Sequence, residues 1–141
     1  MARDSHLDKL ADVPLFSALS RKDLQRIAKA SDEVDVKAGR VLVDQGKTGH
    51  EFFMILDGSA TVRANNRKVA SLGPGQYFGE LALLSREPRD ASVTADTDMK
   101  LLILGQREFT GLLDSVPGLA SKILAIMARR LRQADLKNIT H

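Results

Sequence analysis

The chain has 141 residues, 43% of them hydrophobic, with no cysteine and a formal net charge of +3. A chain this long can bury roughly two-thirds of the surface its unfolded form exposes, so it needs no staple, and the absence of cysteine excludes disulfide frameworks and thiolate metal sites. Charges of both signs are interleaved, which reads as a mildly basic solvated surface rather than a nucleic-acid face, and no apolar run approaches the ~18 residues of a membrane helix.

The start, Met1-Ala2-Arg3-Asp4-Ser5-His6, lacks the apolar stretch of a signal peptide, so a cytoplasmic protein is expected. Residues 1–31 read as helical. Pro14 breaks an early short helix because it disfavours helical backbone at Val13. Ser20-Arg21-Lys22-Asp23 is a capping box with a shorter acid at its last position, and Leu24, Ile27 and Ala28 recur at helical spacing.

Residues 32–104 read as short strands with frequent glycine turns. Val34 and Val36 alternate with polar residues, and Val41 and Val43 follow a turn at Ala38-Gly39. Phe53 and Ile55 lead into a tight turn at Asp57-Gly58, and Ala60 and Val62 lead to Asn65-Asn66, residues that tolerate the positive φ of a hairpin. Val69 to Leu72 ends at Gly73-Pro74-Gly75, and Ser92 to Ala95 and Met99 to Leu104 complete the set. Many short strands at this spacing predict an antiparallel sandwich or barrel.

Residues 106–139 return to the helical period. Arg107 to Leu113 predicts a short helix, and Ser115-Val116-Pro117 predicts the start of another, with proline near its first turn. Leu119, Ile123 and Ile126 form one stripe, and Ala120, Leu124, Met127 and Leu131 a neighbouring one. Together they make a wide apolar face suited to a sheet or to a second copy of the chain. Arg129, Arg130, Arg132 and Lys137 sit at the end, where cations complement the helix dipole.

Residues 78–93 do not follow the strand pattern around them. Gly79-Glu80-Leu81-Ala82-Leu83-Leu84 is helix-compatible but short, and it begins at a glycine, which leaves backbone N–H groups suited to an anion. Arg89 follows Pro88 and can grip a phosphate with two parallel hydrogen bonds. Glu80 cannot bind a phosphate but can accept from a sugar hydroxyl, so the two residue types together suggest a nucleotide. The alternative at this point is that Glu80 and Arg89 pair with each other on the surface, an arrangement of little energetic consequence.

Phe78-Gly79-Glu80-Leu81-Ala82-Leu83, a short turn, and then Pro88-Arg89-Asp90-Ala91-Ser92-Val93 resembles the phosphate-binding cassette of cyclic nucleotide-binding domains, the modules found in the catabolite activator and in kinase regulatory subunits. The resemblance covers nearly the whole chain, because Gly39, Gln45-Gly46, Gly58 and Gly75 fall where that family places its roll glycines. It implies one domain over residues 1–141. The fold class is α+β, mainly β: an antiparallel β-roll, or double-stranded jelly roll, flanked by N-terminal and C-terminal helices. It further implies a ligand site at Phe78, Gly79, Glu80, Leu81, Ala82, Arg89, Asp90, Ala91 and Ser92. Glu80 would bind the ribose 2′-hydroxyl and Arg89 the cyclic phosphate. Gly79 would admit the sugar, and backbone amides near Ala82 and after Arg89 would complete the anion cradle.

Asp90 departs from the family pattern, which favours a small or hydroxyl residue there. A carboxylate about 4 Å from a phosphate is unfavourable by a few kcal/mol at an effective dielectric of ~20. The alternative is that Asp90 turns outward to pair with Arg86, so weakened binding rather than none is expected, with cAMP slightly favoured over cGMP; against that preference, Asp90 could also accept from a guanine amine. The final helix, around Met127 and Leu131, is a candidate lid over the base and a candidate homodimer face.

His6, His50 and His141 have no metal spacing, no nucleophile motif is present, and Tyr77 and Phe78 read as core or strand residues rather than stacking platforms. The expected function is a non-enzymatic regulatory module without a cofactor, which takes cAMP or cGMP as ligand and acts on an effector protein or domain. The alternatives are a ligand-free scaffold of the same fold, or a truncated transcription regulator, since a chain ending at His141 has no room for a helix-turn-helix.

Overall fold

Alternating and β-branched runs form β1 (Asp32–Val36), β2 (Val41–Val43), β3 (Glu51–Asp57), β4 (Ala60–Ala64), β5 (Arg67–Leu72), β6 (Tyr77–Phe78), β7 (Ser92–Ala95) and β8 (Met99–Gly105). The computed structural model describes residues 2–139, with side chains over 6–135; Met1, His141 and the Lys137 side chain lie outside the described residues. The strands make two four-stranded sheets, ordered β1-β8-β3-β6 and β2-β7-β4-β5, and the pairings are antiparallel. This is the expected roll. Its core is drawn from both sheets: Val36, Phe53, Ile55, Ala60, Val93, Ala95, Met99 and Leu101. Phe52 to Ile55 are buried without a break, so β3 is covered on both faces, which accounts for its continuous apolar run.

Asn65 (φ 54°) and Asn66 (φ 63°) turn the β4–β5 hairpin, the backbone a two-residue loop with right-handed strand twist requires. Gln45 holds the tip of that hairpin from another loop. Its Nε2 donates to Asn65 Oδ1 at 3.1 Å and its Oε1 accepts from Asn65 N–H at 2.9 Å.

The roll belongs to a compact unit formed by Lys29–Thr110, and residues up to Ala28 with those from Gly111 form another. The second unit contains α1 (Ala2–Ala11), a 3-10 turn at Pro14–Phe16, most of α2 (Arg21–Ala30), the end of α3 (Gln106–Ser115) and α4 (Leu119–Ile139). The 3-10 turn packs against α4. Leu10, Leu15, Phe16, Leu119, Ile123 and Ile126 are all buried. No single helix among the described residues is long and apolar enough to cross a membrane.

Two helical expectations change. The second C-terminal helix begins at Leu119, not at Ser115–Pro117. Val116 N–H donates back to Leu112 O at 2.9 Å, ending α3, and Gly118 O accepts from Lys122 N–H at 3.1 Å to open α4. Of the two apolar stripes on α4, only that of Leu119, Ile123 and Ile126 is buried, while Leu124 and Leu131 are 68% and 67% exposed.

Ser20 caps α2 by accepting from Asp23 N–H at 3.1 Å. The buried Asp23 carboxylate accepts from Lys122 Nζ of α4 at 2.8 Å and from Arg26 Nη1 at 3.1 Å. Lys122 holds the Asp23 carboxyl below its ordinary value of 3.8, with help from the Ser20 hydroxyl and amide and against the effect of burial. A carboxyl lowered on folding contributes stability that is complete above its unfolded value and fades as pH falls through its folded value. Thermal melts across pH 5 to 2 should therefore show a steeper acid loss for the wild type than for Asp23→Asn. Parallel curves would contradict this.

Candidate functional site

Gly79 adopts φ 80° and caps a 3-10 turn at Glu80–Leu83. The left-handed backbone favours glycine, and the surroundings require it. A Cβ here would stand 2.7 Å from Glu51 O and would overlap Nη1 of Arg89. Gly79 thus makes room for the Arg89 guanidinium. The Ala82 amide, expected in an anion cradle, donates to Gly79 O at 3.0 Å.

Arg89 is fixed at both ends. Its backbone N–H donates to Lys47 O at 2.8 Å, and its carbonyl accepts from Gly46 N–H at 2.9 Å. An isolated antiparallel bridge joins Thr48 to Pro88 beside it. At the far end Nη2 donates to Glu51 O at 2.8 Å, and the guanidinium lies 5.9 Å from the Phe53 ring centroid, within cation–π range. Phe53 is itself stacked on Phe78, with ring centroids 4.7 Å apart. Nε of Arg89 is buried with no hydrogen-bond partner. Burial pushes the guanidinium below its ordinary value and the Glu51 carboxylate opposes that shift; an arginine nevertheless stays protonated in a protein.

A cavity of about 700 Å³ lies against these groups, lined by Phe78, Gly79, Glu80, Leu81, Ala82, Arg89, Asp90 and Ala91. Eight of the nine residues proposed from the sequence thus meet in one place. Ser92 does not. Its hydroxyl accepts from Gln45 N–H at 2.8 Å and donates to Asp44 Oδ1 at 3.2 Å, which ties β7 to the loop after β2. Glu80 is half-buried and its Oε2 is shielded from solvent. The Arg89 guanidinium hydrogen bond runs to Glu51 O. Asp90 is exposed, and Arg86, its suggested partner, donates instead from Nε to Gln106 Oε1 at 3.4 Å.

Val43, Val62 and Val93 form an apolar wall of the cavity, and Ser85, Glu87 and Pro88 add to the rim. Arg89 is the one cation among the lining residues, against the acids Glu80, Glu87 and Asp90. The sequence reading missed Val62 and Val93, although strand alternation points both inward. It also missed Gly46, Lys47, Gly49 and Glu51, whose part depends on a loop that meets the cassette about 40 positions away.

The sequence profile described as "Cyclic nucleotide-binding domain" matches residues 33–116. The chain belongs to the cyclic nucleotide-binding domain family. The domain is 37% identical over 110 residues to a cAMP-dependent protein kinase regulatory subunit of Hypocrea atroviridis, a match covering 78% of this chain but only 24% of that protein. The chain thus corresponds to about a quarter of that relative's length. The N-terminal domain of a transcriptional regulator from Streptomyces coelicolor A3(2) superimposes with a TM-score of 0.83 and 31% identity, covering 90% of this chain and 94% of that one. The regulatory domain of Toxoplasma gondii PKA, crystallised with cAMP, superimposes with a TM-score of 0.71 and 31% identity, over 78% of this chain and 44% of that one. The roll seen in this cyclic nucleotide-binding domain is therefore the fold of its family.

Proposed function

We propose that the domain is a non-enzymatic regulatory module that binds cAMP in preference to cGMP. The observation that carries this reading is the meeting of the Glu80 carboxylate and the Arg89 guanidinium on one apolar-walled cavity of about 700 Å³, a size suited to a small ligand. Glu80 accepts a hydrogen bond from the ribose 2′-hydroxyl. Arg89 exchanges Glu51 O for, or shares it with, the cyclic phosphate. The Toxoplasma gondii protein crystallised with cAMP supports the ligand class. Isothermal calorimetry with cAMP and cGMP tests the reading. Heat with cAMP at lower concentration than with cGMP supports it, and no heat with either at millimolar ligand rejects it.

Asp90 is an exposed carboxylate on the cavity rim. It weakens binding of an anion, though solvent screens it. Asp90→Ala should tighten cAMP binding about 3- to 10-fold at low salt, with a smaller gain at high salt. Weaker binding by the variant would reverse the assigned sign of this effect.

Ligand binding is coupled to movement of the flanking helices, to the extent that cAMP binds one arrangement of them better than the other. The exposed stripe of Leu124 and Leu131 supports a homodimer through α4. Leu124→Glu should then sediment as a monomer where the wild type sediments as a dimer, and identical sedimentation of the two would reject that contact. The effector is a protein or domain regulated by this module, and the compartment is the cytoplasm, consistent with a chain that contains no cysteine.

A further inference from the structure

The Arg89 guanidinium lies in a slot between two backbones. One wall is Gly79. The other is Gly49, a buried glycine in the loop before β3. A Cβ built on Gly49 would overlap Nε and Cζ of Arg89 and stand 2.6 Å from Nη2, and these are its three nearest atoms. Backbone conformation does not explain this glycine. Its φ lies outside the left-handed region, whereas Gly79 sits at +80°. An alanine at position 49 would therefore escape the left-handed strain it would meet at position 79, and the nearest atoms its Cβ would meet are those of the guanidinium.

Neither side of that contact yields easily. The loop is held to the cassette by Arg89 N–H to Lys47 O at 2.8 Å and Gly46 N–H to Arg89 O at 2.9 Å. Leaving the slot takes the guanidinium from its 2.8 Å bond to Glu51 O and from its place over Phe53. The buried Nε has no hydrogen-bond partner, so space rather than polarity holds it against Gly49. Gly49 does not line the 700 Å³ cavity; it lines a neighbouring one of about 360 Å³, to which Arg89 also contributes.

We infer that Gly49 is a positioning residue for the phosphate-recognising arginine: the missing side chain at 49 is the slot that aims the Arg89 guanidinium into the nucleotide cavity. This rests on the reading of Arg89 as the phosphate partner. One added methyl group displaces the fork by about its own radius, and a misplacement of that size at a recognition group costs up to ~100-fold.

The test is a double-mutant cycle on the full chain with Gly49→Ala, Arg89→Lys and the double variant. It is read as cAMP affinity by calorimetry and as ligand-free Tm. With arginine at 89, Gly49→Ala should lower cAMP affinity about tenfold or more. With lysine at 89, which has neither Nε nor a forked head, the same change should cost less than about threefold and should lower Tm less. Equal cAMP affinity for Gly49→Ala and wild type overturns the inference, as does a loss of the same size in both backgrounds. A wild-type chain that takes up no cAMP fails the reading of Arg89 itself, a result seen before any variant is made. If Gly49→Ala alone yields no folded protein, the double variant should recover folding, and failure to recover it also overturns the inference.

Discussion

Arg89→Ala should weaken cAMP binding by about 100-fold or more while leaving the ligand-free protein close to wild-type stability. The first part follows from the two parallel charge-assisted bonds a guanidinium makes to a phosphate, each worth about 1.5–3 kcal/mol; a loss of about 3 kcal/mol is more than two orders of magnitude in Kd. The second part follows from how the protein's own groups hold the arginine. Its head donates to Glu51 O and lies over Phe53, but its buried Nε has no hydrogen-bond partner and burial disfavours its charge. Burying the Arg89 head in this way costs the folded state rather than stabilising it. Calorimetry gives the first quantity and a ligand-free thermal melt the second. A variant with wild-type affinity would remove Arg89 from the binding site, and one that binds poorly only because it has unfolded would show it in the melt.

Gly58→Ala should cost about 2–5 kcal/mol of stability, a drop in Tm on the order of 10 °C. Gly58 turns the chain from β3 into β4 at φ 93°, where an alanine is strained by its own Cβ. That Cβ would also stand 2.5 Å from Asp98 O, 2.8 Å from Met99 Cγ and 2.9 Å from Thr97 Oγ1. The carbonyl cannot swing aside as a surface side chain could. It precedes β8, the central partner of β3, and Thr97 Oγ1 is already the acceptor for Ser59 N–H at 3.0 Å. Differential scanning calorimetry measures the effect, and a Tm within a degree or two of wild type would show that the turn relaxes more freely than this packing allows.

The roll could be read from the sequence because its turns need unusual backbone. Asn65-Asn66 and Asp57-Gly58 are residue pairs that few other local structures require, and both turns lie where expected. Spacing alone left Glu80 and Arg89 open to a plain surface pair, and it was the resemblance of the whole cassette that singled them out; the structure brings both to one cavity. The cassette's support could not be read in the same way. Gly49 and Glu51 look like ordinary loop and strand residues until Thr48 bridges to Pro88, and only then does a carbonyl at 51 become the rest position of the guanidinium. Ser92 lies apart from the others for the opposite reason. It is near the arginine in sequence, but the pleat turns its hydroxyl toward Asp44 and Gln45, away from the cavity. On α4 the apolar periodicity was genuine, yet periodicity cannot separate a stripe that packs within the chain from one left open, as Leu124 and Leu131 are.

The pair of backbone bonds that brackets Arg89 also couples two distant segments of the chain. Gly46 N–H to Arg89 O and Arg89 N–H to Lys47 O form a two-rung ladder between segments more than 40 residues apart. Neither segment can leave without breaking both rungs, so their amide protons exchange with solvent through one shared fluctuation rather than two independent ones. The loop at residues 46–47 is thereby placed as a reporter: on the proposed reading of Arg89, cAMP should slow proton exchange at Gly46, a residue that does not line the 700 Å³ cavity.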